Sequence, residues 1–354
     1  MFQRPGKKNQ PPDNILDTLQ IPSELRRDLV TGDWIVIARA RAKRPHDFTV
    51  QREKVAVDVK NDPFINPQAS GNYEPVLQYT DAATGEWTLQ VIPNKYPAFT
   101  SQGQCMVPRN RGPYAVIDGR GFHEVVVFKD PVRDIAHFSR DEATLVLRAF
   151  HERLRALSTE DCVQYVSIFQ NHGKEAGASL AHPHAQIIAL PVVPPDVHGS
   201  LRGSRKFYEK NNKTVHATII GWEREEAKRV IYENKTMIAF CPFTSRTAFE
   251  IRIFPKAPQP RFEDVDPRLL SDVADALRAS LRMLHDTLDD PAYNFFLHTA
   301  PVNHGDYRYY HWHFEILPKT IIWAGFELGT GIEISTIEPE KAAAFLREHL
   351  PSDV

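Results

Sequence analysis

The chain has 354 residues, of which 42% are hydrophobic and 25% charged, with a formal net charge of -2 at pH 7 and a sequence pI of about 6.7. This balance suits one large or two medium folded domains and excludes the basic field that nucleic-acid or anionic-membrane binding needs, so a small-molecule partner is expected. With no run of eighteen apolar residues and a polar start at Met1-Phe2-Gln3-Arg4, the expected location is cytoplasmic.

Residues 1 to 22 are polar and Pro-rich and read as a mobile arm. The turn Thr31-Gly32-Asp33 leads into a short apolar strand, Trp34 to Ala38, which ends in Arg39, Arg41, Lys43 and Arg44. Four cations in six residues suit either a solvated face or a phosphate clamp, because guanidinium forks grip phosphate oxygens bidentately. Asp62 to Asn72 is loop-like, and Trp87 to Ile92 is a strand ending at Pro93-Asn94-Lys95. The three cysteines, Cys105, Cys162 and Cys241, lie far apart in sequence, which rules out a disulfide framework and any C-x-x-C zinc pair. His123 to Phe128 is a further strand. A helix follows, opened by a capping box of Ser139 and Glu142 and carrying Val146, Phe150, Leu154 and Leu157 at helical spacing. Tyr165 to Phe169 then forms a strand.

The second half repeats this order. Glu250 to Phe254 echoes Glu124 to Phe128, and a helix from Asp266-Pro267 carries Leu270, Val273, Leu277, Leu281 and Leu284 on one face. Tyr293 to His298 parallels Tyr165 to Gln170, and His311 to Pro318 parallels His182 to Pro191. The repeat predicts an α+β fold of two tandem units, 23–200 and 201–354, with mixed, mostly antiparallel sheets and packed helices. Residues 201 to 225 read as a polar join, and Pro339 to Leu350 as a closing helix.

The stretch richest in chemistry runs from Asn171 to Gln186. If its tail is extended, a period of two puts His182, His184 and Gln186 on one face. Gly177, Ala178 and Ser179 can bring backbone N–H groups and a hydroxyl close to an anion. A neutral imidazole beside that anion can attack phosphorus, dividing one difficult transfer into two easier displacements, with Gln186 and the loop stabilising developing charge. Alone, a His-x-His pair equally suits a metal site or a solvated strand, and a Gly-Ser segment suits a plain turn. Joined at this spacing they are far more specific.

Asn171-x-Gly173-x-x-Ala176-Gly177-Ala178-Ser179-x-x-His182-Pro183-His184-x-Gln186 resembles the active-site motif of the galactose-1-phosphate uridylyltransferase family, within the histidine-triad superfamily, whose members include ADP-sugar phosphorylases. The resemblance extends from about Arg26 to Leu350 and includes Arg41-Ala42-Lys43-Arg44-Pro45, Pro93-Asn94-Lys95-Tyr96-Pro97, Tyr310-His311-Trp312-His313 and Ala324-Gly325-Phe326-Glu327. It implies ping-pong nucleotidylyl transfer on nucleotide sugars and sugar 1-phosphates or phosphate. His184 matches the nucleophile, the backbone carbonyl of His182 its orienting acceptor, and Gln186 the residue bonding the transferred phosphoryl group. Arg41, Arg44, Asn94, Asn171 and Ser179 match nucleotide and phosphate contacts. Glu327 matches a sugar-hydroxyl ligand that reaches the partner subunit's site, which implies a homodimer.

The departures concern metal. The family's first zinc set falls here on Asp62, Ile65 and Val132 or Arg133, with only His182 remaining. A second set falls on Thr214-Val215-His216-Ala217 and Pro258, with only His298 remaining, and Val197-His198-Gly199-Ser200 offers no Glu for an iron site. No cofactor is therefore expected, since zinc wants about four ligands. A residual three-His site from His298, His311 and His313 is the alternative. Uridylyl exchange between UDP-glucose and a hexose 1-phosphate is the leading expectation, ADP-sugar phosphorolysis the second, and a non-catalytic nucleotide-sugar binding protein the rival from another class.

Overall fold

The computed structural model describes residues 22–39, 58, 60–105 and 107–352. The expected arm, apart from Pro22, and the cations Arg41, Lys43 and Arg44 lie outside the described residues.

In the first half the strands are β1 (Glu24–Arg27), β2 (Trp34–Ile37), β3 (Leu77–Thr80), β4 (Trp87–Pro93), β5 (Arg109–Arg111), β6 (Tyr114–Val116), β7 (Phe122–Phe128), β8 (Tyr165–His172) and β9 (His184–Leu190), with helix α1 (Arg140–Leu157) between β7 and β8. The second half adds α2 (Pro195–Asn211), α3 (Val215–Glu226), β10 (Val230–Glu233), β11 (Met237–Phe240), β12 (Ile251–Pro255), α4 (Leu270–Leu288), β13 (Tyr293–His298), β14 (His313–Pro318), α5 (Gly325–Thr330), β15 (Ile334–Ser335) and α6 (Pro339–Arg347).

Ten strands make one sheet in the order β10-β11-β12-β14-β13-β8-β9-β7-β4-β3. From either edge inward the pattern is the same, three meandering strands and then a pair joined by the central strand, so β8 and β13 meet antiparallel at the middle. α1 and α4 each link the third strand of their half to the central one. Their apolar stripes (Val146, Phe150 and Leu154 on α1; Val273, Leu277, Leu281 and Leu284 on α4) are fully buried with Val166, Ile187, Phe295 and Phe314 from one face of the sheet. Each such side chain contributes about 1.5–3 kcal/mol on leaving water. The Ser139–Glu142 capping box starts α1 by satisfying two orphan N–H groups. The opposite face carries His184, Gln186 and Glu315 beside smaller apolar clusters around Val125 and Val127 and around Ile238 and Phe240.

Register sharpens the internal repeat. His298 pairs with His313, whereas Gln170 pairs with Ala185, which sets Asn171 across from His184. His298 thus stands where the first half has Asn171, and Glu315 stands where it has Gln186. The segment read as a polar join is helical instead: α2 buries only a narrow stripe of Val197, Leu201 and Ser204, too sparse for its period to show among charged residues. The closing helix stops at Arg347. The expectation of no disulfide is corrected as well, because the fold brings Cys105 and Cys162 into a disulfide, with Cα atoms 5.1 Å apart despite a sequence separation of 57.

Candidate active site

β8 hands over to the motif through Gly173, whose φ of +81° and proximity to Ala292 exclude any side chain; a Cβ there would come within 2.7 Å of the Ala292 Cβ. A short 3-10 turn, Lys174–Ala176, then closes on Gly177 at φ +88°. The N–H groups of Ala176 and Ala178 donate to the Gly173 carbonyl, and that of Gly177 to the Lys174 carbonyl. The amides of Gly177 and Ala178, expected to meet a phosphate, are therefore already engaged in shaping the loop, and Ser179 follows them as an exposed polar side chain. From the second half, Asn294 donates one carboxamide to two acceptors, Asn171 Oδ1 and the Ala176 carbonyl, both at 2.8 Å.

β9 alternates as a half-buried strand should. Ala185, Ile187 and Ala189 are fully buried in the main core, which turns His184 and Gln186 to the opposite face. His182 precedes the strand, and its ring lies between Asp62 Oδ2 on Nδ1 and the Phe128 carbonyl on Nε2, each at 2.6 Å. Its own carbonyl accepts from His184 Nδ1 at 2.8 Å. A carbonyl can only accept, so Nδ1 carries the hydrogen and the Nε2 lone pair of His184 is free. Burial holds the His184 pKa below the usual imidazole range, with the charge of His182 acting the same way and the bond to the His182 carbonyl opposing, which keeps the ring neutral. Phe64 packs its ring edge on both imidazoles, with centroids 5.7 Å from His182 and 5.3 Å from His184.

Gln186 is oriented from the side by His123. The Ala98 N–H donates to His123 Nδ1 at 3.1 Å, so Nε2 is the protonated nitrogen and donates to Gln186 Oε1 at 2.9 Å. The Gln186 amide NH2 is thereby directed away from His123. Asn94 accepts from the Tyr96 N–H and lies 3.1 Å from His123 Nε2, which places it beside this relay. Glu327 sits in α5 and accepts from the Ala324 N–H; it does not join these contacts within the chain. Arg41 and Arg44 fall outside the described residues. Sequence reasoning missed Phe64, His123 and Asn294 as site residues and read Asp62 only as a lost ligand. The His-Glu pair opening β7 was a visible signal for His123; for Asn294 no sequence signal existed.

The first implied metal set does not fit the residues present. There, Ile65 and Val132 offer no donor, the Arg133 guanidinium is held by Asp130 and Glu142, and both His182 nitrogens already face protein acceptors. In the second half the structure gathers His298, His313 and Glu315, with donor atoms within 4.8 Å of one another, and leaves His311 out of the set expected from sequence. Glu315 pairs with Arg246, lies 3.4 Å from Arg252, and accepts from His298 Nε2 at 3.0 Å. Both guanidinium groups meet Glu315 Oε1, while Oε2 faces His298. His313 donates Nδ1 to the His311 carbonyl at 3.0 Å, repeating the first-half geometry, but its neighbour is acidic Glu315 where His184 has neutral Gln186.

The model for the N-terminal domain of galactose-1-phosphate uridyl transferase matches residues 15–194. A domain of unknown function, DUF4921, matches residues 116–351. The chain is 34% identical to ADP-glucose phosphorylase of Arabidopsis thaliana over 334 residues, 92% of each chain, and 30% identical to galactose-1-phosphate uridylyltransferase of Thermotoga maritima over 335 residues, 92% of this chain and 98% of that one. The chain belongs to the galactose-1-phosphate uridylyltransferase family. Its fold is close to the structure of the Arabidopsis ADP-glucose phosphorylase with bound ADP-glucose, at a TM-score of 0.77 and 30% identity over 92% of this chain and 99% of that one. A uridylyltransferase structure gives a TM-score of 0.70 at 30% identity, covering 92% and 97%. Membership of the uridylyltransferase family makes the protein an enzyme of the nucleotidyltransferase type, and the binding-only alternative falls away. No helix among the described residues is long and apolar enough to cross a membrane.

Proposed function

We propose that this enzyme moves a nucleoside monophosphate from a nucleoside diphosphate sugar to a phosphate acceptor through a covalent nucleotidyl-His184. His184 Nε2 attacks the α-phosphorus, a P–N bond forms, the bond to the bridging oxygen breaks, and the sugar 1-phosphate leaves with that electron pair. A phosphate oxygen of the acceptor then attacks the same phosphorus and the P–N bond breaks, returning the neutral imidazole. The nucleophile needs no base, because its lone pair is already exposed by the bond to the His182 carbonyl. The Gln186 NH2 and the Ser179 hydroxyl supply hydrogen bonds to the equatorial oxygens as charge develops. The observation that carries this reading is the neutral, buried, singly bonded His184 beside Gln186.

Uridylyl transfer to a hexose 1-phosphate and phosphorolysis of an ADP-sugar use the same chemistry. The family model and the Thermotoga relative favour the first, while the higher identity and TM-score of the Arabidopsis phosphorylase favour the second. We take ADP-glucose with inorganic phosphate as the pair to test first. A homodimer completed by Glu327 belongs to the same proposal. Incubation with ADP-glucose or UDP-glucose, followed by intact-protein mass spectrometry, should give an adduct of one nucleotide that is lost in His184→Ala. Turnover without any His184-dependent adduct refutes the covalent route.

A further inference from the structure

In the family this chain belongs to, the loop preceding β3 is expected to be fastened to His182 by zinc. Here the loop fastens itself. Asp62 Oδ1 accepts from the Phe64 N–H at 2.9 Å, fixing the start of the loop as an Asx turn. Asn72 ties the other end, donating to the Pro63 and Pro67 carbonyls at 3.1 Å each. The second Asp62 oxygen, Oδ2, takes the His182 ring from one side while the Phe128 carbonyl takes it from the other. With side-chain exposures of 1% for His182 and 5% for Asp62, water does not compete for either bond.

We infer that Asp62 is a positioning residue for the nucleophile: with the Phe128 carbonyl it clamps the His182 ring where the family places zinc, and so holds the His182 carbonyl that orients His184 without metal. The same loop delivers Phe64 against both imidazoles, so releasing Asp62 frees His184 from its carbonyl and from its packing together. Outer-shell partners of this kind typically alter activity about 10–100-fold when removed. The inference rests on His184 being the nucleophile.

The test uses the full chain, purified and then dialysed against a chelator. The rate of nucleotidyl-adduct formation is measured by rapid quench with the active donor sugar, beside equilibrium binding of that sugar. Wild-type protein should keep its adduct rate after chelation. Asp62→Ala should form adduct about 10–100-fold more slowly with donor affinity changed less than about threefold, and Asp62→Asn, which retains an acceptor, should recover most of the rate. An Asp62→Ala rate within twofold of wild type, or a wild-type rate abolished by chelation and restored by zinc, overturns the inference. Should the alanine variant not fold, the wild-type imidazole N–H spectrum decides: a slowly exchanging His182 Nδ1 proton, identified by its loss in His182→Gln, is required, and its absence overturns the clamp. Failure of the His184 reading would show separately, as wild-type turnover without adduct.

Discussion

Replacing Asn294 by Ala should damage the active site of the other half of the chain. Its carboxamide makes two hydrogen bonds to the phosphate-side loop, one to Asn171 Oδ1 and one to the Ala176 carbonyl. Asn171 is half-buried and can rotate to water, so that bond is worth about 1 kcal/mol. Ala176 is buried, and leaving its carbonyl without a donor costs about 1–3 kcal/mol unless the loop opens to solvent. Together the ordered loop loses roughly 2–4 kcal/mol relative to open forms. At about 1.4 kcal/mol per tenfold, an ordered state that began in 100-fold excess would fall to between about fourfold excess and about sevenfold deficit, and adduct formation would slow by up to about eightfold while the overall fold survives. Hydrogen exchange at the amides of Ala176 to Ala178, with the adduct rate measured by rapid quench, reads both effects. Unchanged protection together with an adduct rate within 1.5-fold of wild type would refute the coupling between halves.

Replacing His123 by Phe frees the Gln186 amide to turn over; one lost hydrogen bond of about 1 kcal/mol predicts a roughly fivefold lower kcat with donor binding nearly unchanged, read from steady-state kinetics, and an effect confined to KM would contradict the relay. Gly173→Ala forces a side chain into Ala292 at a left-handed φ and should reduce the adduct rate about tenfold, with Ala292→Gly in the same chain restoring part of it. Acid stability should show two opposed contributions. Burial pulls His216 down to about 3 and His311 to about 4, and lowers His313 and His184 as well, so between pH 6.5 and 4 the unfolded chain takes up protons at these imidazoles that the native protein does not, and stability falls by up to roughly 1.4 kcal/mol per unit per group. Burial raises Glu250 and lifts Glu263 to about 7, and these protonate first in the native state, adding stability as pH falls from 7 to 4.5. Urea midpoints should therefore fall gently from pH 7 to about 5, where the two kinds of group oppose each other, and drop steeply below 4.5. There the carboxylates of buried Asp134 and half-buried Asp290, which desolvation raises but imidazole partners hold down, also lose their advantage. The double variant His216→Phe, His311→Phe should hold its midpoint better than wild type between pH 6 and 4, and an identical acid profile would refute the assignment.

Much of the fold was legible because its signals are local. The Ser139–Glu142 box and the stripe from Val146 to Leu157 needed only their own helix, and the alternation of Ala185, Ile187 and Ala189 needed only its strand. The repeat of His-x-His with its flanking strand announced two similar units before any contact was known. The helices at Pro195–Asn211 and Val215–Glu226 were not legible, because few of their residues are buried and those that are meet partners distant in sequence. The Cys105–Cys162 disulfide was likewise invisible, since spacing along the chain does not measure distance in the fold.

By itself the sequence determined the residue types that chemistry requires: an imidazole pair, a glutamine two places on, and glycines where the backbone must run left-handed. Which nitrogen of His184 is free, which way Gln186 faces, and what holds His182 in the absence of zinc ligands were decided only by tertiary structure. The first depends on the His182 carbonyl that the fold turns toward His184, and the other two depend on hydrogen bonds with residues far away in the chain, His123 and Asp62; a hydrogen bond has direction. Composition and spacing carry none, so the roles of those residues appear only when the sheet brings them within 3 Å of the motif.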